Sequence, residues 1–150
     1  MTGPPLDEHF GTSMQVVQRL LRARDPMLPH FGFPTVDVRD IAAMHVRALE
    51  RSETIGKRII GVDRFLWYAD MAKVLKAAYP NRKITTRVAP DVLIRFLSMF
   101  DGVIRTIVPN LGRQEEISNE RAHTLLGMDF RDTRESVRQA AGYLLSHGLV

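Results

Sequence analysis

Two short segments of this sequence are typical of β-strands, and a helical pattern separates them. Residues 57–62 (KRIIGV) are rich in β-branched side chains between Gly56 and Asp63, and residues 83–88 (KITTRV) alternate apolar with polar side chains. Two such isolated strands do not make an independently stable sheet. At least one of them is expected to need partners that this chain does not supply. We call residues 57–62 the orphan strand.

Most of the remaining sequence repeats apolar residues at three- and four-residue spacing, which predicts about seven helical segments. One pattern covers residues 66–78 and ends at Pro80, and another ends before Pro109. The other five have residues that commonly begin helices. These are Thr12 or Ser13, Asp37 (supported by Asp40), Pro90, Ser118 and Thr133. The helix that Ser118 begins is predicted to end at Gly127. The sequence therefore predicts a mostly helical α/β domain, with a Pro-rich loop over residues 26–34.

The composition is that of an ordinary soluble globular domain. Hydrophobic residues make up 45% and charged residues 25% of the 150 residues, and there is no cysteine. We expect a cytoplasmic protein without membrane contact, because no apolar run approaches the length of a membrane span and no secretory signal is evident. The net charge of +4 is spread among interspersed acidic and basic residues, so we do not expect nucleic-acid binding.

No complete catalytic or metal-binding constellation is present in the sequence. Gly56 and Gly61 have the spacing of a phosphate loop, but bulky residues lie between them and no Lys-Ser/Thr follows. Tyr79 and Lys83 match Tyr-x-x-x-Lys, yet Pro80 disfavours the helix on which that pair would have to lie. We therefore predict no catalytic residue. No pair of histidines has metal-ligand spacing, so we predict no metal site either.

Asp37 and Asp40 could be imagined as a carboxylate pair for acid–base chemistry. Their position at the start of a predicted helix gives a sufficient structural reason for both, because carboxylates there accept free amide hydrogens and favour the helix dipole. We therefore interpret Asp37 and Asp40 as helix-capping residues.

The order of several segments is more informative than any single motif. In sequence order these segments are Gly3-Pro4, residues 33–42 (FPTVDVRDIA), residues 56–62 (GKRIIGV), residues 67–75 (WYADMAKVL), and then Leu111-Gly112, Ser118-Asn119 and Leu126-Gly127. Together they resemble the extended short-chain dehydrogenases/reductases of the NAD-dependent epimerase/dehydratase family. The similarity is in particular to the group around dihydroflavonol reductases, and it covers essentially the whole chain.

The resemblance implies a fold and a domain organisation. The chain would be the C-terminal lid or substrate domain of an extended Rossmann-fold reductase, in which the orphan strand joins the Rossmann sheet and residues 83–88 form a short second strand. In the family, the Gly-rich dinucleotide loop, the catalytic Ser and the Tyr-x-x-x-Lys helix precede the Gly-Pro that Gly3-Pro4 resembles. We therefore expect residues 1–150 to form a single substrate-binding domain without the N-terminal dinucleotide-binding domain.

The resemblance also implies which residues lie near cofactor and substrate. Those expected beside the nicotinamide end of NADP or NAD are Gly3, Pro4, Thr12 and Ser13. Those expected to face a small-molecule carbonyl substrate are Phe10, Phe31 and Phe33. For Phe31 and Phe33, packing beneath the Pro-rich loop is an equally weighted alternative. The chain is not expected to bind the cofactor alone.

Two functions follow as hypotheses. The first is the substrate-binding half of an NAD(P)-dependent oxidoreductase that reduces a ketone or aldehyde to an alcohol, inactive alone and completed by the missing Rossmann half. The alternative is a non-catalytic interaction module that forms a homodimer, or pairs with another chain, through the orphan strand.

Overall fold

The computed structural model describes residues 1–5 and 11–150. It confirms the mostly helical α/β class. The helices are α1 (Thr12–Leu21), α2 (Val38–Leu49), α3 (Tyr68–Ala78), α4 (Asp91–Leu97), α5 (Gly102–Ile107), α6 (Glu120–Leu126) and α7 (Thr133–Ser146), with short 3-10 helices at Ser52–Thr54 and Val108–Asn110. The strands are β1 (Gly32–Thr35) and β2 (Arg64–Trp67). No helix in the described residues is long and apolar enough to cross a membrane.

The two strands form an antiparallel pair. Gly32 lies opposite Trp67, and Phe33 lies opposite Leu66. Because successive side chains of a strand point to opposite faces, Phe33 and Leu66 share the face that packs on the core, and Phe65 and Trp67 share the other face. A Cβ atom at Gly32 would lie 2.5 Å from the Phe65 ring, so this strand position admits only glycine.

Both predicted strands are wrong in position. Residues 57–62 are extended but form no ladder; instead, side chains of Arg121 and Asn119 donate hydrogen bonds to the carbonyls of Arg58 and Val62. Residues 83–88 make only an isolated bridge, between Val88 and Leu28. A β-prone composition forms a strand only where a neighbouring strand is available. The actual strands lie in the predicted Pro-rich loop and at the beginning of the predicted 66–78 helix.

The helix starts agree with the sequence at two positions. Asp37 is the N-cap of α2, and its carboxylate accepts a hydrogen bond from the Arg39 amide at 2.8 Å. Pro90 is the N-cap of α4. Gly127, in the left-handed conformation, ends α6 as predicted.

Three other caps lie next to a predicted position, not at it. Gly11, not Thr12 or Ser13, is the N-cap of α1, and Asn119, not Ser118, is that of α6. Asp132, not Thr133, is the N-cap of α7, because its carboxylate accepts the Arg134 amide hydrogen. The Thr133 hydroxyl is used elsewhere, in the polar network described below.

The main hydrophobic core lies between α1, α3 and α7, beneath the β1–β2 pair. Its fully enclosed members include Leu75 of α3 and Val137 and Leu144 of α7, each 0% exposed. Two smaller clusters flank it. The second cluster joins Ala89, Ile94 and Leu111 under α4 and α5, and the third joins Ala122, Leu126 and Met128 between α6 and α2.

A buried polar network fixes the start of α7 against the start of α2. The Ser136 hydroxyl donates a hydrogen bond to the Asp37 carboxylate at 2.5 Å. The Asp63 carboxylate accepts hydrogen bonds from the amide and the hydroxyl of Thr133, both at 2.9 Å, and the Thr35 and Thr133 hydroxyls are 3.0 Å apart. These groups are satisfied within the chain, which removes the usual penalty of burying polar atoms.

Burial alone would raise the pKa of Asp37, but its hydrogen bonds outweigh that effect. The donors are the Arg39 side chain, the Ser136 hydroxyl and the Arg39 amide, which together hold the pKa at about 2. The pKa of Asp63 is likewise lowered: burial opposes the shift, and hydrogen bonds from Arg64 and Thr133 produce it. Both carboxylates are therefore ionised at neutral pH and serve as structural anchors.

Candidate functional site

A partly exposed group of aromatic side chains covers the outer side of the β1–β2 pair. The ring centroids of Phe65 and Trp67 are 4.9 Å apart in an edge-to-face arrangement, and His30 lies against Trp67 at 4.6 Å. Phe65 and Trp67 are half-buried, while His30 is exposed. We call His30, Phe65 and Trp67 the aromatic face. Such a surface offers flat apolar contacts to a ligand.

The Phe31 and Phe33 rings lie against each other, with ring centroids 5.9 Å apart. Phe33 packs against the main core, and Phe31 packs against the second cluster. Both rings therefore contact a hydrophobic cluster of the chain. Each is nevertheless only half-buried, so part of each ring is accessible to a ligand.

The backbone around Phe31 is held from three directions. The Phe31 carbonyl accepts a hydrogen bond from the Tyr68 amide at the start of α3, at 2.9 Å. The His30 carbonyl accepts one from the Gly112 amide at 2.8 Å, and Leu28 exchanges backbone bonds with the 87–89 segment. These backbone hydrogen bonds hold residues 28–31 in a defined conformation, whereas the prolines of this segment alone predict a loop.

A cleft of about 530 Å³ opens beside β2. Pro34 and Phe65 supply apolar walls, while Asp63 and Arg64 supply charge. The remaining lining is Val62 and the segment Gln114, Glu115, Glu116, Ile117 and Ser118. Because Phe65 belongs to both, the cleft and the aromatic face are continuous.

Gly3 and Pro4 lie beside the start of α2. The Thr2 amide donates to the Val36 carbonyl, and the Thr2 carbonyl accepts from the Val38 amide, both at 2.8 Å. Gly3 has φ +124°, and a Cβ atom there would lie 3.1 Å from a Val38 methyl carbon. The glycine is therefore required by conformation and by the close approach of the two segments.

The remaining predicted cofactor residues occupy the first turn of α1. Thr12 is exposed and Ser13 is half-buried. The Gly11 N-cap provides no side-chain hydrogen bond to the first turn. Phe10, predicted to face substrate, lies outside the described residues.

The structure brings some predicted site residues together and separates others. Phe31 and Phe33 are neighbours, whereas Gly3 lies beside Asp37. Six steps of largely extended chain lead from Phe31 to Asp37, which corresponds to roughly 20 Å. Gly3 and Phe31 thus lie near opposite ends of this stretch.

Sequence reasoning missed Phe65, Trp67 and His30. The signal for the first two is the Arg64–Trp67 segment, RFLW, in which three large apolar side chains follow one another after Gly61 and Asp63. The helical pattern that begins at residue 66 includes part of this run. His30 has no local signal, because its aromatic neighbour is 37 positions away in the sequence.

The Tyr68 hydroxyl, at the start of α3, is held in its neutral form. Burial, with a further contribution from the charge of Asp25, raises the pKa of Tyr68 to about 12. Its hydroxyl is therefore neutral at physiological pH. Tyr79 lies just past the end of α3 and Lys83 in the following loop, which confirms that this pair does not share a helix.

The Gly56-to-Gly61 segment is not a phosphate loop. A phosphate loop connects a strand to the N-terminus of a helix, whose amides bind the anion. Here the chain runs from Gly61 into β2, and a Cβ atom at Gly61 would lie 2.5 Å from an Ile41 methyl carbon. The lack of a side chain at Gly61 lets Ile41 and Met44 of α2 approach the backbone closely.

Comparisons with known proteins identify relatives among reductases. No model of a known protein family matches the chain. The NADPH-dependent methylglyoxal reductase GRE2 of Saccharomyces cerevisiae is 25% identical over 144 residues, covering 92% of this chain and 37% of that protein. Cinnamoyl-CoA reductase 1 of Oryza sativa subsp. japonica is 26% identical over 138 residues, covering 92% of this chain and 36% of that protein.

Solved structures give the same result for the fold. The crystal structure of yeast methylglyoxal/isovaleraldehyde reductase Gre2 complexed with NADPH matches with a TM-score of 0.72 and 23% identity, covering 99% of this chain and 42% of that one. The chain therefore spans little more than a third of the length of the curated relatives it matches. The chain is thus similar to one part of these reductases, which are members of the extended short-chain dehydrogenases/reductases of the NAD-dependent epimerase/dehydratase family.

Proposed function

We propose that this chain is the substrate-binding part of an NADPH-dependent reductase that converts a ketone or aldehyde to an alcohol. The observation that carries the proposal is a sequence match over 92% of the chain to a reductase described as NADPH-dependent. The aromatic face and the adjoining cleft support it, because the face offers apolar contacts and the cleft offers an open recess with polar and charged walls.

The described residues do not fit a complete dinucleotide site by themselves. No described segment is a Gly-rich turn that leads from a strand into a helix, the arrangement that binds a pyrophosphate. The residues proposed to touch the nicotinamide end, Gly3, Pro4, Thr12 and Ser13, could form at most one edge of such a site. The cofactor would then be held mainly by a dinucleotide-binding part outside these residues.

On the substrate side, we propose that Phe31, Phe65 and Trp67 contact the carbonyl compound. Phe31 and Phe65 are fixed through the β1–β2 pair and the backbone bonds of residues 28–31. Trp67 is additionally fixed by its contacts with His30 and Phe65. Rigid rings of this kind bind a flat substrate with little loss of side-chain entropy. Phe33, turned toward the core, would support Phe31.

The alternative function, pairing through the orphan strand, is not favoured. Residues 57–62 do not form a strand, and two of their carbonyls already accept hydrogen bonds from Arg121 and Asn119. That segment would have to exchange existing contacts before it could pair with another chain.

The first test is a titration of the chain alone with NADPH, in which binding is monitored by nicotinamide fluorescence. We expect no saturable binding at cofactor concentrations up to about 1 mM. The binding free energy would then be weaker than about 4 kcal/mol. Tight binding would mean that these residues form a cofactor site of their own. It would contradict the proposal that a separate dinucleotide-binding part holds most of the cofactor.

In the second test, the chain replaces the matched segment of yeast methylglyoxal reductase. It is thereby joined to the dinucleotide-binding part of that enzyme. We expect NADPH oxidation with a panel of ketones and aldehydes. Trp67→Ala should raise the KM by about tenfold, since losing one well-packed aromatic contact costs on the order of 1.4 kcal/mol.

The matched control is Phe130→Ala, which removes a half-buried ring from the third cluster. It should lower stability without changing the KM. A folded chimera that binds NADPH but reduces none of the compounds would contradict the proposed function. Equal KM changes for both variants would contradict the role of Trp67.

A further inference from the structure

His30 lies between two parts of the chain that are distant in sequence. Its ring packs on the Trp67 ring of β2, with centroids 4.6 Å apart and planes tilted by 32°. Its Nδ1 atom lies 3.8 Å from the Oδ1 atom of Asp91, the first residue of α4. The His30 side chain therefore connects the aromatic face to α4 and α5, which we call the α4–α5 hairpin.

The backbone of His30 is fixed more firmly than its side chain. The His30 carbonyl accepts a hydrogen bond from the Gly112 amide at 2.8 Å, and the next carbonyl, that of Phe31, accepts one from the Tyr68 amide at 2.9 Å. The 3.8 Å contact with Asp91 is too long for a hydrogen bond, so in this geometry Asp91 does not yet fix the imidazole. The side chain is 45% exposed, so protons exchange with it directly from solvent.

The space beside His30 and Asp91 allows the two side chains to approach each other. A Cβ atom built at Gly112 would lie 3.5 Å from the Asp91 carboxylate and 3.5 Å from the His30 Nδ1 atom. Because glycine has no side chain, no larger group from this position separates the imidazole from the carboxylate. A shift of about 1 Å would bring Nδ1 and Oδ1 to the roughly 2.7–2.9 Å of a charge-assisted hydrogen bond.

The groups that pack against His30 make its contacts sensitive to its charge. They are Trp67 from β2, Asp91 from α4 and Gly112 from the turn after the second 3-10 helix, and among these three only Asp91 is titratable. Imidazole side chains gain a proton between about pH 8 and about pH 5. An imidazolium is attracted by the Asp91 carboxylate and by the face of the indole, whereas a neutral imidazole gains little from either.

We propose that His30 and Asp91 form a proton-controlled clasp that fixes the aromatic face. Protonation closes the clasp: the imidazolium donates a hydrogen bond from Nδ1 to the Asp91 carboxylate and stays against Trp67. Loss of the proton opens it, and the Trp67 ring then loses one of its two aromatic supports, the other being Phe65. Since the aromatic face is the proposed substrate surface, the regulatory meaning of the clasp rests on the proposed function.

Trp67 is the only tryptophan of the sequence, so the tryptophan fluorescence of the full chain reports on this place alone. The test is a fluorescence titration from about pH 8 to about pH 5, the range in which imidazole side chains titrate. A protonated imidazole in contact with an indole quenches its emission, so we expect the emission to fall on acidification. Acrylamide quenching of the remaining emission should also fall, because the closed clasp keeps one face of the Trp67 ring covered.

Two variants separate the two contacts of His30. His30→Gln should abolish both changes, since it removes the titrating ring. Asp91→Asn should retain the fall in emission, because His30 still contacts Trp67, but it should lose the acid-induced protection from acrylamide. Circular dichroism at both ends of the titration should match that of the unmodified chain, because both replaced side chains are partly exposed.

The matched control is His123→Gln on α6. His123 likewise lies near an aspartate, with its Nδ1 atom 4.0 Å from an Asp129 oxygen, and near an aromatic ring, that of Phe130, with centroids 5.5 Å apart. This variant should behave like the unmodified chain, since neither contact involves Trp67.

Three results would overturn the clasp. They are an emission that stays constant over the titration, a fall in emission that persists in His30→Gln, and equal protection from acrylamide with and without the Asp91 carboxylate. The proposed function is judged separately, in the chimera with yeast methylglyoxal reductase. A chimera that reduces no carbonyl compound contradicts that function, whereas the fluorescence of the chain alone still decides whether the clasp exists.

Discussion

The α1–α3–α7 core and the α4–α5 hairpin use similar apolar residues in opposite ways. Leu75 and Leu144 in the core are 0% exposed, whereas Val92 and Phe100 on the hairpin are more than three-quarters exposed. The first region completes its own packing within the chain. The second leaves most of its apolar surface to solvent or to a partner.

The difference follows from how apolar residues are distributed around each helix. In α7 they are separated by polar residues such as Arg138 and Gln139, so they form one stripe that faces α1 and α3. In α4 they are nearly continuous, and only Ile94 points into the second cluster. A short helix that is apolar on several faces can bury only one of them against a single neighbour.

The largest expected effect on stability comes from making the same leucine-to-alanine substitution in each of the two regions. Leu75→Ala in the core should lower the free energy of unfolding by about 3 kcal/mol, because it removes buried methyl groups and leaves a cavity. The same change at Leu97, which is 39% exposed on α4, should cost less than about 1 kcal/mol. Urea unfolding of dilute protein measures both. Similar losses would show that the hairpin is as well packed as the core.

The next effect concerns the charge enclosed beside the core. Asp37 has a pKa of about 2 when folded and about 3.9 when unfolded, so its ionised form stabilises the fold. We expect Asp37→Asn to cost about 2 kcal/mol at pH 7. This contribution is fully present above about pH 4 and is lost as the pH falls toward about 2. The difference between the two proteins should therefore shrink over that range, as followed by urea unfolding.

Asp70→Asn provides the control for the Asp37 prediction. Asp70 pairs with Lys73 at 2.8 Å, but both side chains are exposed. Exposed ion pairs contribute little, so this change should cost less than about 0.5 kcal/mol. A loss as large as that of Asp37→Asn would mean that burial does not set the strength of these pairs.

Sequence patterns predicted what depends on neighbouring residues. Asp37 and Gly127 were assigned as helix boundaries because a cap acts within one turn, and both are confirmed. The similarity to reductases was also predicted, from the order of short segments. The cap of α7 was misplaced by one residue because Asp132 and Thr133 are both good capping residues. Their roles are separated only by Asp63, which is distant in sequence.

Features that depend on distant residues were not predicted. β1 lies in a segment whose glycine and prolines indicate a loop, and it is a strand because Arg64–Trp67 runs antiparallel to it. Residues 57–62 have stronger β propensity but no neighbouring strand. The same limitation applies to the candidate site. Phe31 and Phe33 were proposed from the resemblance. Phe65 and Trp67 were not predicted, because only the β1–β2 pairing places them on one face.

The smallest of the three effects tests backbone conformation in the two regions. Gly3→Ala, beside Asp37, should lower the free energy of unfolding by about 1–2 kcal/mol, because φ is +124° and the added Cβ would meet Val38 at 3.1 Å. Gly102→Ala, in the first turn of α5, introduces a Cβ that meets nothing within 4 Å. It should stabilise the chain by up to about 0.5 kcal/mol, since alanine favours helix. Urea unfolding measures the change in the free energy of unfolding for both variants. Changes of opposite sign would show that the region around Asp37 does not accommodate an added Cβ atom, whereas the start of α5 does. Two losses of equal size would contradict that difference.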